Sequence, residues 1–127
     1  MTDQTFRALC EKWIETYLAA IAAGRRYGAL SAELTSTKLP LATESLDEVK
    51  AVQAQRGVLQ ASCRAASEES RALAQEASRL DGQIRDILPA GVWYRVNGKG
   101  IMYQPGVATQ IMDWEDVLEK VNAQAAG

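Results

Sequence analysis

Histidine is absent from this 127-residue chain, and cysteine occurs only twice, at Cys10 and Cys63. The first absence removes the commonest general base and the commonest metal ligand, and the second confines sulfur chemistry to two positions. No catalytic, cofactor-binding or metal-binding residue is therefore expected. Charge of one sign is also lacking: the net charge is −2 and the isoelectric point about 5.2. Such a balance gives no general attraction for nucleic acid or for an anionic membrane, which clustered Lys and Arg would drive. Long apolar runs are missing too. The best, "WIETYLAAIAAG", carries Glu15 and is too short to cross a bilayer, while "MTDQTFRALCEK" has no basic stretch leading into an apolar core. The expectation is a soluble, non-secreted protein whose partners are proteins.

Helical periodicity is abundant. Phe6, Trp13, Ala20, Tyr27 and Leu34 recur every seven positions, with Cys10, Tyr17 and Gly24 at the offsets, so a helix is expected over about 3–34. Ile14, Leu18 and Ile21 widen its apolar stripe. The stretch "TSTKLPLATE" then breaks the pattern at Pro40 and forms a linker over 35–44, with Leu39 and Leu41 placed to plug the hairpin end. "SLDE", Ser45 to Glu48, is a capping box that opens a second helix over about 45–88. In that helix Val52, Leu59, Ala66, Leu73, Leu80 and Ile87 hold one heptad row, and Val49, Arg56, Cys63, Ser70, Ala77 and Ile84 the other. The second row has a small, polar middle. Charges three or four apart, such as Glu76 with Arg79 and Asp81 with Arg85, suit a solvated face.

Thr16, Ala20, Gly24, Gly28 and Ala32 fall at steps of four along the first helix, a ridge without bulk. Two readings stand: Ala20, Gly24, Gly28 and Ala32 pack closely on Cys63, Ala66 and Ser70 of the same chain, or the ridge meets its own copy in another subunit. "GRRYG" is no phosphate loop, since it lacks the Gly-Lys-Ser/Thr ending and lies within a helix. In a hairpin turning between 34 and 45, position 10 faces about residue 69. Cys63 is then displaced by roughly 9 Å, too far for an undistorted disulfide. Glu11 and Glu15 read as surface carboxylates flanking Lys12. Arg56 reads as a snorkelling, register-setting or partner-facing group. The second helix outruns the first by roughly 18 Å at 1.5 Å per residue, leaving an apolar overhang at Leu80, Ile84 and Ile87 that the remaining chain must cover.

After "LPAG", the alternation in "VWYRVNGKGIMYQPG" around Asn-Gly predicts a type I′ hairpin over about 92–104. Tyr94 and Val96 should face Ile101 and Lys99, and Trp93 should pair with Met102. "VATQIM" offers a third strand, and Asp113 caps a short helix over about 113–123 in which Trp114, Val117, Leu118 and Val121 share a face. A sheet this small is marginal alone. Trp93, Met102, Tyr103 and Trp114 are thus candidates for an interface with another chain, unless the last helix covers them.

A coiled segment followed by "GVWYRVNGKGIMYQPG", over residues 45–106, resembles small structural and accessory virion proteins of tailed bacteriophages, which often end a coiled coil in a compact β-hairpin. The resemblance implies a component that oligomerises and docks. "TSTKLPLATES" lacks the Trp-x-Gly turn of another group, the small secreted helical hairpins. The chain reads as mainly α (α+β): a long antiparallel helical hairpin over 1–88 with a β-hairpin and short helix over 89–127. The expected function is that of a non-enzymatic structural or assembly protein forming a homo-oligomer. The alternative is an adaptor, chaperone or inhibitor presenting the C-terminal module to a different protein.

Overall fold

The computed structural model describes residues 2–36 and 43–126. The order is α1 (Asp3–Ser36), α2 (Leu46–Arg85), β1 (Tyr94–Val96), β2 (Lys99–Met102), β3 (Gln110–Asp113) and α3 (Trp114–Ala126). Both long helices start on side-chain caps. Thr2 Oγ1 accepts from the Thr5 amide at 3.1 Å, and Ser45 Oγ from the Glu48 amide at 3.3 Å. The second half of the expected capping box is rearranged, because Glu48 accepts from Thr43 Oγ1 and the Ser45 amide donates to that same hydroxyl. Leu39, Pro40 and Leu41 lie outside the described residues.

The chain divides into two compact units: a two-helix unit, Tyr17–Gln75, and a sheet-bearing unit made of Met1–Thr16 and Glu76–Gly127. In the two-helix unit α1 and α2 run antiparallel, with Gly24 beside Ser70 and Arg26 paired to Glu69 at 2.8 Å. Both heptad rows of α2 face inward here. Leu59, Cys63 and Ala66 are buried, and Val49, Val52, Arg56, Ser70 and Leu73 half-buried. On the part of α1 within this unit the buried residue is Ala23, one position before the expected Gly24.

The axial register differs from expectation. A tight turn at 34–45 would set Gly24 against about residue 55, whereas it meets Ser70, some 15 residues or about 22 Å farther along α2. Heptad spacing fixes which face is inward and leaves sliding along the axis free. The uncovered end is consequently the start of α2, where nothing before Leu59 is fully buried and Leu46 and Val58 are exposed.

The sheet-bearing unit holds the expected overhang, and it is filled. Ala77, Leu80 and Ile84 of α2 are buried in the same unit as Phe6, Cys10 and Trp13 of α1. Ile87 breaks its row because α2 ends at Arg85: the following turn, with the Leu88 amide on the Ile84 carbonyl at 2.8 Å, turns Leu88 inward and leaves Ile87 exposed. The sheet is antiparallel in the order β1-β2-β3. Tyr94 pairs with Ile101 and Val96 with Lys99, as the Asn-Gly turn dictates, with Asn97 and Gly98 both at positive φ (50° and 78°). Val96 and Ile101 on one face are completely buried, and the Phe6 and Tyr94 rings lie 4.8 Å apart. Both cysteines are free and buried, and burial pushes the Cys10 thiol up to about 12.

Candidate protein interface

The four residues proposed to meet another chain are largely used within the sheet-bearing unit. The sequence passes from β3 to α3 without a linker, and the Trp114 amide donates to the Gly98 carbonyl at 2.8 Å, so α3 folds back on the sheet. Gly100 makes the close packing possible: a Cβ there would stand 2.7 Å from Val117 Cγ2, 3.1 Å from the Trp114 ring and 3.2 Å from the Trp93 ring. Met102 is buried, and Trp93 and Trp114 are half-buried, with Lys120 and Arg95 over their respective rings at 5.9 and 5.6 Å. Asp113 precedes α3 as expected, while its carboxylate accepts from Lys99 Nζ at 2.9 Å.

Tyr103 belongs to a clasp that the sequence did not disclose. Its hydroxyl donates to the Arg85 carbonyl at 3.1 Å, and the Arg85 guanidinium stacks on its ring at 4.8 Å. Arg85 also donates to Asp81 Oδ2 at 3.0 Å, to the Val107 carbonyl at 2.7 Å and to Thr109 Oγ1 at 3.1 Å, while the Thr109 hydroxyl donates to the other Asp81 oxygen. The expected Asp81–Arg85 pair was legible as helix spacing; its tie to the 104–109 segment was not. The clasp sets the end of α2 against the loop before β3.

The small ridge of α1 is used at one end only. A Cβ on Gly24 would meet Ser70 Oγ at 3.6 Å, ordinary contact, while Ala20 is half-buried beside it in sequence. Within the two-helix unit Cys63 and Ala66 supply the buried small side chains of α2. Gly28 has open space around it and Ala32 is exposed, because at about 100° per residue both turn away from the face centred on Ala23. The same rotation takes Ile14, Leu18 and Ile21 out of the anticipated wide stripe: Ile14 is half-buried, Leu18 is 47% exposed and Ile21 37%.

Besides the start of α2, two apolar helical surfaces stand open among the described residues. On α1, within the two-helix unit, Leu18, Ile21 and Arg25 lie about 140–160° around the helix from Ala23. On α3, within the sheet-bearing unit, Leu118 and Val121 are 45% and 41% exposed, flanking buried Val117. Glu115 and Glu119 border that stripe on its outer side. Arg25, Glu115 and Glu119 are exposed and have no ion-pair partner among the described residues.

The carboxylates of Glu11 and Glu15 line a depression with Ile14, Val96, Asn97 and Lys99, whose ammonium is engaged by Asp113. Among the described residues no group of three or more Cys, Asp or Glu is placed to hold a metal, and no helix is long and apolar enough to cross a membrane. No family model, curated protein or solved structure matches the chain.

Proposed function

We propose that the protein is a non-enzymatic structural or assembly component that works by packing against other protein chains. One observation carries this reading. Among its described residues the two-helix unit buries only Ala23, Leu59, Cys63 and Ala66 of its apolar side chains, three of them small, while Leu18, Ile21, Tyr27, Leu46 and Val58 stand exposed on the same helices. Two helices carrying that much uncovered apolar surface gain most of their stability from whatever covers it. The likeness of the coiled segment and Asn-Gly hairpin to small accessory virion proteins of tailed bacteriophages supports a role of this kind, and a virion component is the specific form we favour.

Light scattering across a dilution series tests the reading. A self-assembling component shows a mass that is a multiple of 13.8 kDa and falls on dilution. A constant 13.8 kDa at every concentration overturns self-assembly and favours the adaptor reading, in which the exposed stripes await a different protein.

A further inference from the structure

The two open stripes carry opposite charge and matching spacing, and we infer that they bind each other between copies: the Leu18–Ile21–Arg25 stripe on α1 of one copy packs antiparallel on the Trp114–Leu118–Val121 stripe on α3 of another. This inference rests on the assembly reading and names the partner as a second copy of this chain. The stripe on α1 ascends by three and then four residues, from Leu18 to Ile21 to Arg25. The stripe on α3 descends by three and then four, from Val121 to Leu118 to Trp114. Laid antiparallel, Leu18 faces Val121 and Ile21 faces Leu118, two layers of exposed aliphatic side chains at coiled-coil spacing. Arg25 then arrives at the first turn of α3, beside Glu115, where an unpaired cation meets an unpaired carboxylate. Running the helices parallel sets Arg25 against Ala125 and leaves the charge of Glu115 unanswered.

Charge also argues against each stripe pairing with itself in parallel. An α1–α1 contact brings Arg25 to Arg25, and an α3–α3 contact brings Glu115 and Glu119 to their own copies, both like-charge arrangements. The mixed contact is heterologous, since one copy offers α1 and the next α3. Each chain keeps one free stripe of either kind, so assembly propagates until a ring closes or a filament grows.

The test uses the intact chain, Arg25→Glu, the double variant Glu115→Lys with Glu119→Lys, and an equimolar mixture of the two variants. Circular dichroism verifies their helix content. The wild type is expected to assemble. Each variant alone is expected to dissociate at concentrations roughly tenfold higher or more, the factor that corresponds to about 1.4 kcal/mol. The mixture regains association, because an α1–α3 contact between the two unlike variants again joins opposite charges. Added salt weakens wild-type association, which gives a reading independent of any substitution. Variants that assemble as the wild type does, a mixture of folded variants that stays dissociated, or association indifferent to salt would overturn the α1–α3 contact while leaving an assembling protein. A monomeric wild type would remove the assembly reading along with it.

Discussion

The two units are built from the same pair of helices and filled very differently. In the sheet-bearing unit Phe6, Trp13, Leu80, Ile84, Leu88, Val96, Ile101, Met102 and Val117 are buried together with Cys10 and Ala77; among the described residues of the two-helix unit Leu59 is the only large side chain buried to that degree. Composition is the cause. The α2 rows read Leu80 and Ile84 in one unit but Cys63, Ala66 and Ser70 in the other, and α1 offers Phe6 and Trp13 against Ala20, Ala23 and Gly24. Small side chains let helices approach, yet they remove little apolar area from water, at roughly 25 cal/mol per Å². The lesson is that small residues bring helices together without filling a core, so one unit buries large side chains while the other leaves Leu18, Ile21, Tyr27 and Val58 exposed.

Substitutions can break that contrast from its strong side. Ile84→Ala, at a site with no exposure, should cost about 2–5 kcal/mol in thermal or urea unfolding, by lost burial and a residual cavity. Gly100→Ala should cost about 1–3 kcal/mol, since the new methyl forces Val117 and two indoles apart, and it should alter near-ultraviolet dichroism. Thr109→Val removes the hydroxyl between Asp81 and Arg85. The expected loss is about 1–2 kcal/mol, with faster amide exchange at 104–109.

On the weak side the changes should be small or of opposite sign. Gly28→Ala adds a methyl in open space on a helix and should raise stability by up to about 1 kcal/mol. The mildest effect concerns pH. The buried thiol of Cys10 keeps its proton until about pH 12, whereas an unfolded thiol loses it near 9. Between those values the native state binds more protons than the unfolded one, so this group's contribution favours folding below pH 9 and is lost as pH rises toward 12. Cys10→Ala should therefore show a shallower fall in melting temperature over that window than the parent chain.

What was legible in the sequence follows from how local each determinant is. The hairpin register was readable because Asn97-Gly98 sets the turn and alternation sets the faces. The inward rows of α2 were readable because heptad spacing repeats through the whole helix. The slide of α1 along α2 was not, since contacts far apart in sequence decide it and a run such as "LAAIAAG" offers few landmarks. Ala23 was missed for the same reason. The covering of Trp93 and Met102 had a signal in Gly100, a glycine inside a strand, which marks close approach of another element. Arg85 looked like one member of a helical ion pair, and only the folded loop brings Val107 and Thr109 to it.

Hydrogen exchange followed against protein concentration tests the central contrast most directly. The account predicts that amides of α1 and α2 within Tyr17–Gln75 exchange readily when dilute and gain protection as concentration rises. Those of β2 and the buried end of α2 near Leu80 and Ile84 should stay protected throughout. Equal protection in both units at every concentration would contradict it, because the two-helix unit would then be complete without a neighbour.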